Sequence, residues 1–188
     1  MSRSRLALLT GPVGIGKTTI AGRVVELARH RGIACRGVLA PALRNAGLKI
    51  GIAGVDLATG ERRTLACTSC DMKGPRLGSY SFDAEALEWA TSIILEALSP
   101  TQGAEATAEN AALVVVDEIG KLELWQGLGL AAVLPALASC PSACVLVIVR
   151  ESLLDELRAR LGDACPLLFW AGEETRDTLP GRIADELL

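Results

Sequence analysis

"LLTGPVGIGKTTI", residues Leu8 to Ile20, decides the fold. An apolar run ends in a glycine-rich loop, followed by a lysine and two threonines. Gly11-Pro12-Val13-Gly14-Ile15-Gly16-Lys17-Thr18 fills every fixed position of the P-loop pattern. In that pattern glycines let successive backbone N–H groups turn inward around phosphate oxygens, and the helix N-terminus adds its positive end. Lys17 is then placed to reach the β- and γ-phosphates, the Thr18 hydroxyl to ligate Mg²⁺, and Thr19 to lie near the α-phosphate. The bland alternative is a chance glycine-rich turn, which leaves the agreement of strand, loop and helix unexplained.

Outward from the loop, the chain alternates apolar runs with helical patterns. Arg5 to Thr10 reads as a buried strand, and Lys17 to His30 as a helix with Ile20, Val24 and Ala28 on one face. "IACRGVLAP" follows as a second strand. "LKIGIAGVDLATGERRTLACT" differs, because two β-type runs flank the turn signal Ala58-Thr59-Gly60-Glu61. It predicts a hairpin over about residues 47 to 67, standing off the sheet as a small flap. "RLGSYSFD" adds a short strand, and Leu87, Ala90, Ile94 and Leu98 stripe a helix from Ala84 to Leu98. "SPTQGAEATAENA" reads as a polar surface loop. Beyond it come the strand "ALVVVDEIG", a helix around Leu128 to Ala138 and the strand "ACVLVIVR". Leucines 153, 154, 157 and 161 mark a helix, "PLLFWA" is an inner strand, and Ile183 with Leu187 a short final helix. Continuous apolar strands between helices predict a three-layer α/β fold, a mostly parallel sheet covered on both faces. The whole chain, 1 to 188, is read as one domain.

Composition narrows the partners. Half of the 188 residues are apolar and only 3 % aromatic, so the core is expected to be aliphatic and the composition argues against disorder. A net charge of −3 gives no basic face for nucleic acid or an anionic membrane. No run is long enough to span a bilayer, and the N-terminus lacks a secretory apolar segment, so a cytoplasmic protein is expected. The sequence leaves the number of subunits open. Six cysteines are then expected as free thiols. Only Cys67 and Cys70 form a CxxC; with no second pair at metal-binding spacing, it reads as an ordinary turn.

The metal also needs an acid at the C-terminal end of a nearby parallel strand. Asp117, after "LVVV", stands there, and Glu118 follows at once. With Asp117 on the metal, Glu118 can face the γ-phosphate and polarise a water for in-line attack. The competing role for Glu118 is a helix cap or a solvated acid. A transition state gaining charge on the γ-phosphoryl oxygens calls for a further cation. Arg150, after "VLVIV", ends a strand where ligands gather; Arg44, Lys121 and Arg76 compete with it. Arg176, in "ETRDTL", is a weaker candidate for the base side.

"VVVDEIGKLEL" together with "GPVGIGKTT" resembles the thermophilic-type nucleoside-triphosphatase family, whose animal members are called cancer-related nucleoside-triphosphatases. The resemblance extends over nearly the whole chain, through "RGVLAPALRNAGLKIGIAGVDLATG", "GPRLGSY" and "GEETRDTLPGRI". It implies a P-loop protein that slowly hydrolyses several nucleoside triphosphates with Mg²⁺, on a fold that also suits a kinase. Gly120, Lys121 and Glu123 match beside the P-loop and the acid pair, and Arg44 matches an arginine counted among the nucleotide-binding residues. Ala40, Ala42 and Leu48 stand where the family leads one to expect a threonine, a glutamate and an arginine. Hydrolysis of ATP, GTP and other nucleoside triphosphates is thus the leading expectation. Phosphoryl transfer to a nucleotide or small molecule, and a non-catalytic switch, are the alternatives.

Overall fold

Leu6–Thr10 forms β1, buried at every residue, and the loop after it leads into α1, Lys17–His30. The computed structural model describes residues 6–99, 112–139 and 144–188, so Arg5, Cys140 and the polar stretch from 100 to 111 lie outside the described residues. β2 is Ala34–Leu39, β8 Ala112–Ile119, β9 Cys144–Val149 and β10 Leu167–Trp170. These strands run parallel in the order β10-β1-β9-β8-β2. β9 therefore separates the P-loop strand from the Asp117 strand.

Alternate residues feed two cores. Leu8, Val116 and Val147 face one side, where α2 (Ala84–Leu98), α4 (Leu134–Ala138) and α5 (Leu154–Leu161) pack. Leu9, Val115 and Ile148 face the other, with α1 and α6 (Leu179–Leu187). A parallel strand buried on both faces has to be apolar at nearly every position, which is why these runs were continuous in the sequence.

The hairpin is present but continues the sheet instead of standing off it. β4 (Leu48–Asp56) pairs antiparallel with β2 through Val38↔Asp56 and Leu39↔Val55. The sheet then runs through β5 (Arg62–Cys67) and β7 (Tyr80–Asp83) to β6 (Lys73–Leu77), while β3 (Ala42–Asn45) folds back on β4. The turn is held by Asp56, whose carboxylate accepts from the Ala58 N–H at 2.9 Å and the Thr59 hydroxyl at 2.6 Å. Leu65 ties the hairpin to the α2 core, so a detached flap would expose it.

Two further expectations change. The stretch from 121 to 138 holds a short helix, α3 (Lys121–Gln126), then a 3₁₀ turn at Gly129–Val133 before α4. Gly127, left-handed at φ 67°, ends α3, and the helix expected around Leu128 to Ala138 is instead the 3₁₀ turn followed by the short α4. Cys67 and Cys70 are paired as a disulfide, not free, because the bend after β5 brings their Cα atoms to 5.8 Å. Cys35 and Cys165 are free thiols. No helix among the described residues is long and apolar enough to cross a membrane.

Candidate functional site

The P-loop is shaped by close approach. At Gly11 a Cβ would meet the Ala171 carbonyl oxygen at 2.3 Å, so only glycine lets the loop leave β1 beside β10. Gly16, at φ 100°, turns the chain into α1. The first turn of α1 carries no acid, which leaves its positive end open to an anion. Lys17 is buried, and its Nζ donates to the carbonyls of Gly11 (2.8 Å) and Pro12 (2.9 Å). Burial pushes its pKa down, and the nearby Glu118 carboxylate partly opposes this.

Across the cleft, Asp117 and Glu118, joined by a cis peptide, stand near the end of β8, just before Ile119. Asp117 is buried and accepts from the Ala40 N–H at 2.9 Å. Burial lifts its pKa to about 6, Glu118 adds to the rise, and hydrogen bonds from Ala40 and the Thr18 hydroxyl hold it back. The Thr18–Asp117 contact brings together the two oxygen donors that the sequence assigns to a metal. A hard cation such as Mg²⁺ is bound by one or two carboxylates and completes its shell with waters and phosphate oxygens. This donor set fits it.

Glu118 is partly exposed and accepts from Arg150 Nε at 2.6 Å. Arg150 follows β9 directly, so two adjacent strands deliver the acid and the base of this pair from positions 32 apart in sequence. The competitors separate in space. Arg44 and Lys121 line the same cleft, with Arg44 donating to the Gly47 carbonyl and Lys121 standing over the Trp125 ring. Arg76 instead pairs with Asp71 on the surface at 3.1 Å. Glu123 is structural: buried, it accepts from the N–H groups of Gly120 (2.8 Å) and Leu130 (3.3 Å), fixing α3 against the 3₁₀ turn.

The cleft holds about 490 Å³ and reaches from the P-loop, Val13 to Thr19, past Asp117, Glu118 and Arg150. The rest of its lining is largely apolar, a chamber that sequence reasoning missed. Its walls come from elements scattered between β3 and the 3₁₀ turn, so no local pattern announces it. On the loop's other flank, Pro12 to Ile15 face Gly172, Glu173 and Arg176 across a second cleft. Arg176 thus sits beside the loop.

This fold and this loop define a P-loop domain of the nucleoside-triphosphatase kind. The family model described as NTPase matches residues 6–184, and the chain belongs to that family. It is 36 % identical to the nucleoside-triphosphatase THEP1 of Thermofilum pendens, over 96 % of this chain and 93 % of the relative. It is 32 % identical to that of Methanopyrus kandleri, over 96 % and 94 %. Among solved structures, a human cancer-related nucleoside triphosphatase superimposes with a TM-score of 0.72 at 27 % identity, covering 98 % of this chain and 96 % of that one. THEP1 from the hyperthermophile Aquifex aeolicus shares the fold, with a TM-score of 0.73 at 22 % identity over 96 % and 98 %.

Proposed function

We propose that the protein uses water to cleave the γ-phosphoryl group from ATP, GTP and other nucleoside triphosphates with Mg²⁺, releasing the nucleoside diphosphate and inorganic phosphate. Family membership gives the enzyme class, a nucleoside-triphosphatase. The finer reading is supported by one observation above others. Glu118, a carboxylate, lines the cleft directly after buried Asp117, with Arg150 bonded to it.

In this reading the backbone of Gly11 to Gly16 wraps the phosphates, and Thr19 lies by the α-phosphate. Thr18 and Asp117 would hold Mg²⁺, which would supply positive charge against the phosphates. Lys17 exchanges its two loop carbonyls for phosphate oxygens, which return a full charge-assisted bond to a buried ammonium. Glu118 accepts the proton of the attacking water. Arg150 keeps Nε on Glu118, which orients the carboxylate, and its Nη groups are free to meet the γ-phosphate as it gains charge. Arg44, on the facing wall, adds positive charge at the phosphate end. Arg176 covers the nucleoside side.

Phosphate release from ATP and from GTP, with Mg²⁺ and no second substrate, tests this directly. Release without an acceptor supports hydrolysis. Release only when a hydroxyl or phosphate acceptor is added, with the γ-phosphate recovered on it, replaces hydrolysis with the kinase reading that the apolar chamber favours.

A further inference from the structure

The apolar chamber lies past the phosphate end of the cleft. Its walls are Ile52, Leu65, Leu77, Phe82, Leu87 and Leu130, drawn from β4, β5, β6, β7, α2 and the 3₁₀ turn. These side chains carry no hydrogen-bonding group, so the polar edges of a nucleobase would be left unmatched against them. A hydrocarbon or aromatic body has no such cost and gains from leaving water.

Charge marks the same space. Exposed Lys49, the strand partner of Arg44, and half-buried Lys121 both line the cleft that holds the chamber. Neither pairs with a carboxylate among the described residues. Each stands instead over an aromatic ring, Lys49 at 5.3 Å from the Tyr80 centroid and Lys121 at 4.5 Å from that of Trp125. Two ammonium groups beside an apolar hollow suit a molecule with an anionic head and an apolar body.

We infer that the chamber is a second ligand site, which takes a small organic phosphate or carboxylate with an apolar body while the nucleotide is bound. The inference rests on the nucleotide reading above, because that reading puts the γ-phosphate at Glu118 and the nucleoside on the Gly172 and Arg176 flank. The chamber then remains open on the opposite side. Its occupant stands next to the terminal phosphate without displacing the triphosphate.

The probe is 1-naphthyl phosphate, titrated calorimetrically into protein saturated with Mg²⁺ and a non-hydrolysable ATP analogue. One site per chain is expected. Inorganic phosphate and 1-naphthol, which carry the head or the body alone, should each bind about tenfold more weakly or worse. Lys49→Glu removes one cation, and Ala42→Trp puts a ring at an exposed position of the lining; each should weaken the probe by about tenfold or more. Thermal melts of both variants report their folding, and Lys49→Glu, at an exposed lysine, carries the test if Ala42→Trp does not fold. No binding beside the analogue, competition by the analogue, or equal affinity in wild type and Lys49→Glu overturns the second site. Phosphate release from ATP by the wild-type protein without the probe tests the hydrolase reading separately, so either reading can fail alone.

Discussion

β1 and β9 are buried at every residue, whereas β3 and β6 contain no fully buried residue at all. The first pair belongs to the parallel half of the sheet, from β10 to β2, and the second to the antiparallel half from β3 to β7. Pairing in the parallel half is regular except between β8 and β9, where the register slips between Asp117 and Ile119, at the acid pair itself. In the antiparallel half the register slips between Leu43 and Arg44, between Ile52 and Ala53, and between Lys73 and Arg76. Bulges bend strands and re-aim side chains. The regular half carries every residue assigned to phosphate chemistry except Arg44, and the irregular half wraps the apolar chamber. In our reading the difference is a division of labour: the parallel half, broken only beside the acid pair, holds the phosphates, and the bulged half shapes what stands beside them.

The most severe way to break that comparison is Lys17→Ala. It removes a buried ammonium that holds two loop carbonyls and, in our reading, two phosphates. Binding of a fluorescent ATP analogue with Mg²⁺ should fall below detection. Retained affinity would move the triphosphate away from the parallel half.

Glu118→Gln comes next. The amide keeps an oxygen for Arg150 Nε but cannot take a proton from water. Nucleotide affinity should hold while turnover drops by about 10²-fold or more, the scale of a lost general base. Turnover equal to wild type would leave Glu118 as only a tether for Arg150.

How much of this was legible in the sequence follows the same division. The bounds of α1 and α2 could be read from apolar stripes at helical spacing, the P-loop from its motif, and the buried strands because burial on both faces leaves a continuous apolar signature. β3, β6 and the joining of the hairpin to β2 could not. Their residues are exposed or half-exposed, and strand pairing depends on partners far along the chain. At the site, Lys17, Thr18, Asp117 and Glu118 were identifiable by type and position. The bond between Glu118 and Arg150 was not, because it depends on β8 and β9 being neighbours and on the angle at which each strand ends. The role of Glu123 was hidden for a similar reason: a glutamate inside a motif reads as chemistry until its two backbone donors are seen.

pH sharpens the comparison through Asp117, in the parallel half. Its folded pKa is raised to about 6 from the ordinary 3.8, chiefly by burial. The folded protein therefore keeps a proton that the unfolded chain has lost between those values. The stability this gives is fully present below about 3.8 and is lost as pH rises through about 6. At about 1.4 kcal/mol per unit the loss is on the order of 3 kcal/mol. Asp117→Asn keeps an acceptor for the Ala40 N–H and removes the titration. In nucleotide-free protein, the urea midpoint difference between the Asn variant and wild type should grow in favour of Asn from pH 4 to 6.5, then level off. A difference that is flat with pH would mean that Asp117 titrates alike in both states.

The smallest effect belongs to the antiparallel half. Cys67 and Cys70 are three residues apart and close a very short loop at the end of β5. Loop-closure entropy grows with the length of the loop, so this bridge removes little freedom from the unfolded chain, about 2 kcal/mol at most. Cys67→Ser with Cys70→Ser should lower the urea-unfolding free energy by no more than that in oxidising buffer. In reducing buffer the variant and wild type should coincide, since the wild-type bridge is then open. Phosphate release should match wild type in both buffers, because the bridge touches neither the P-loop nor the strand ends beside it. A change in release that follows the redox state would show that the bent half communicates with the phosphates, and the division between the halves would then be wrong.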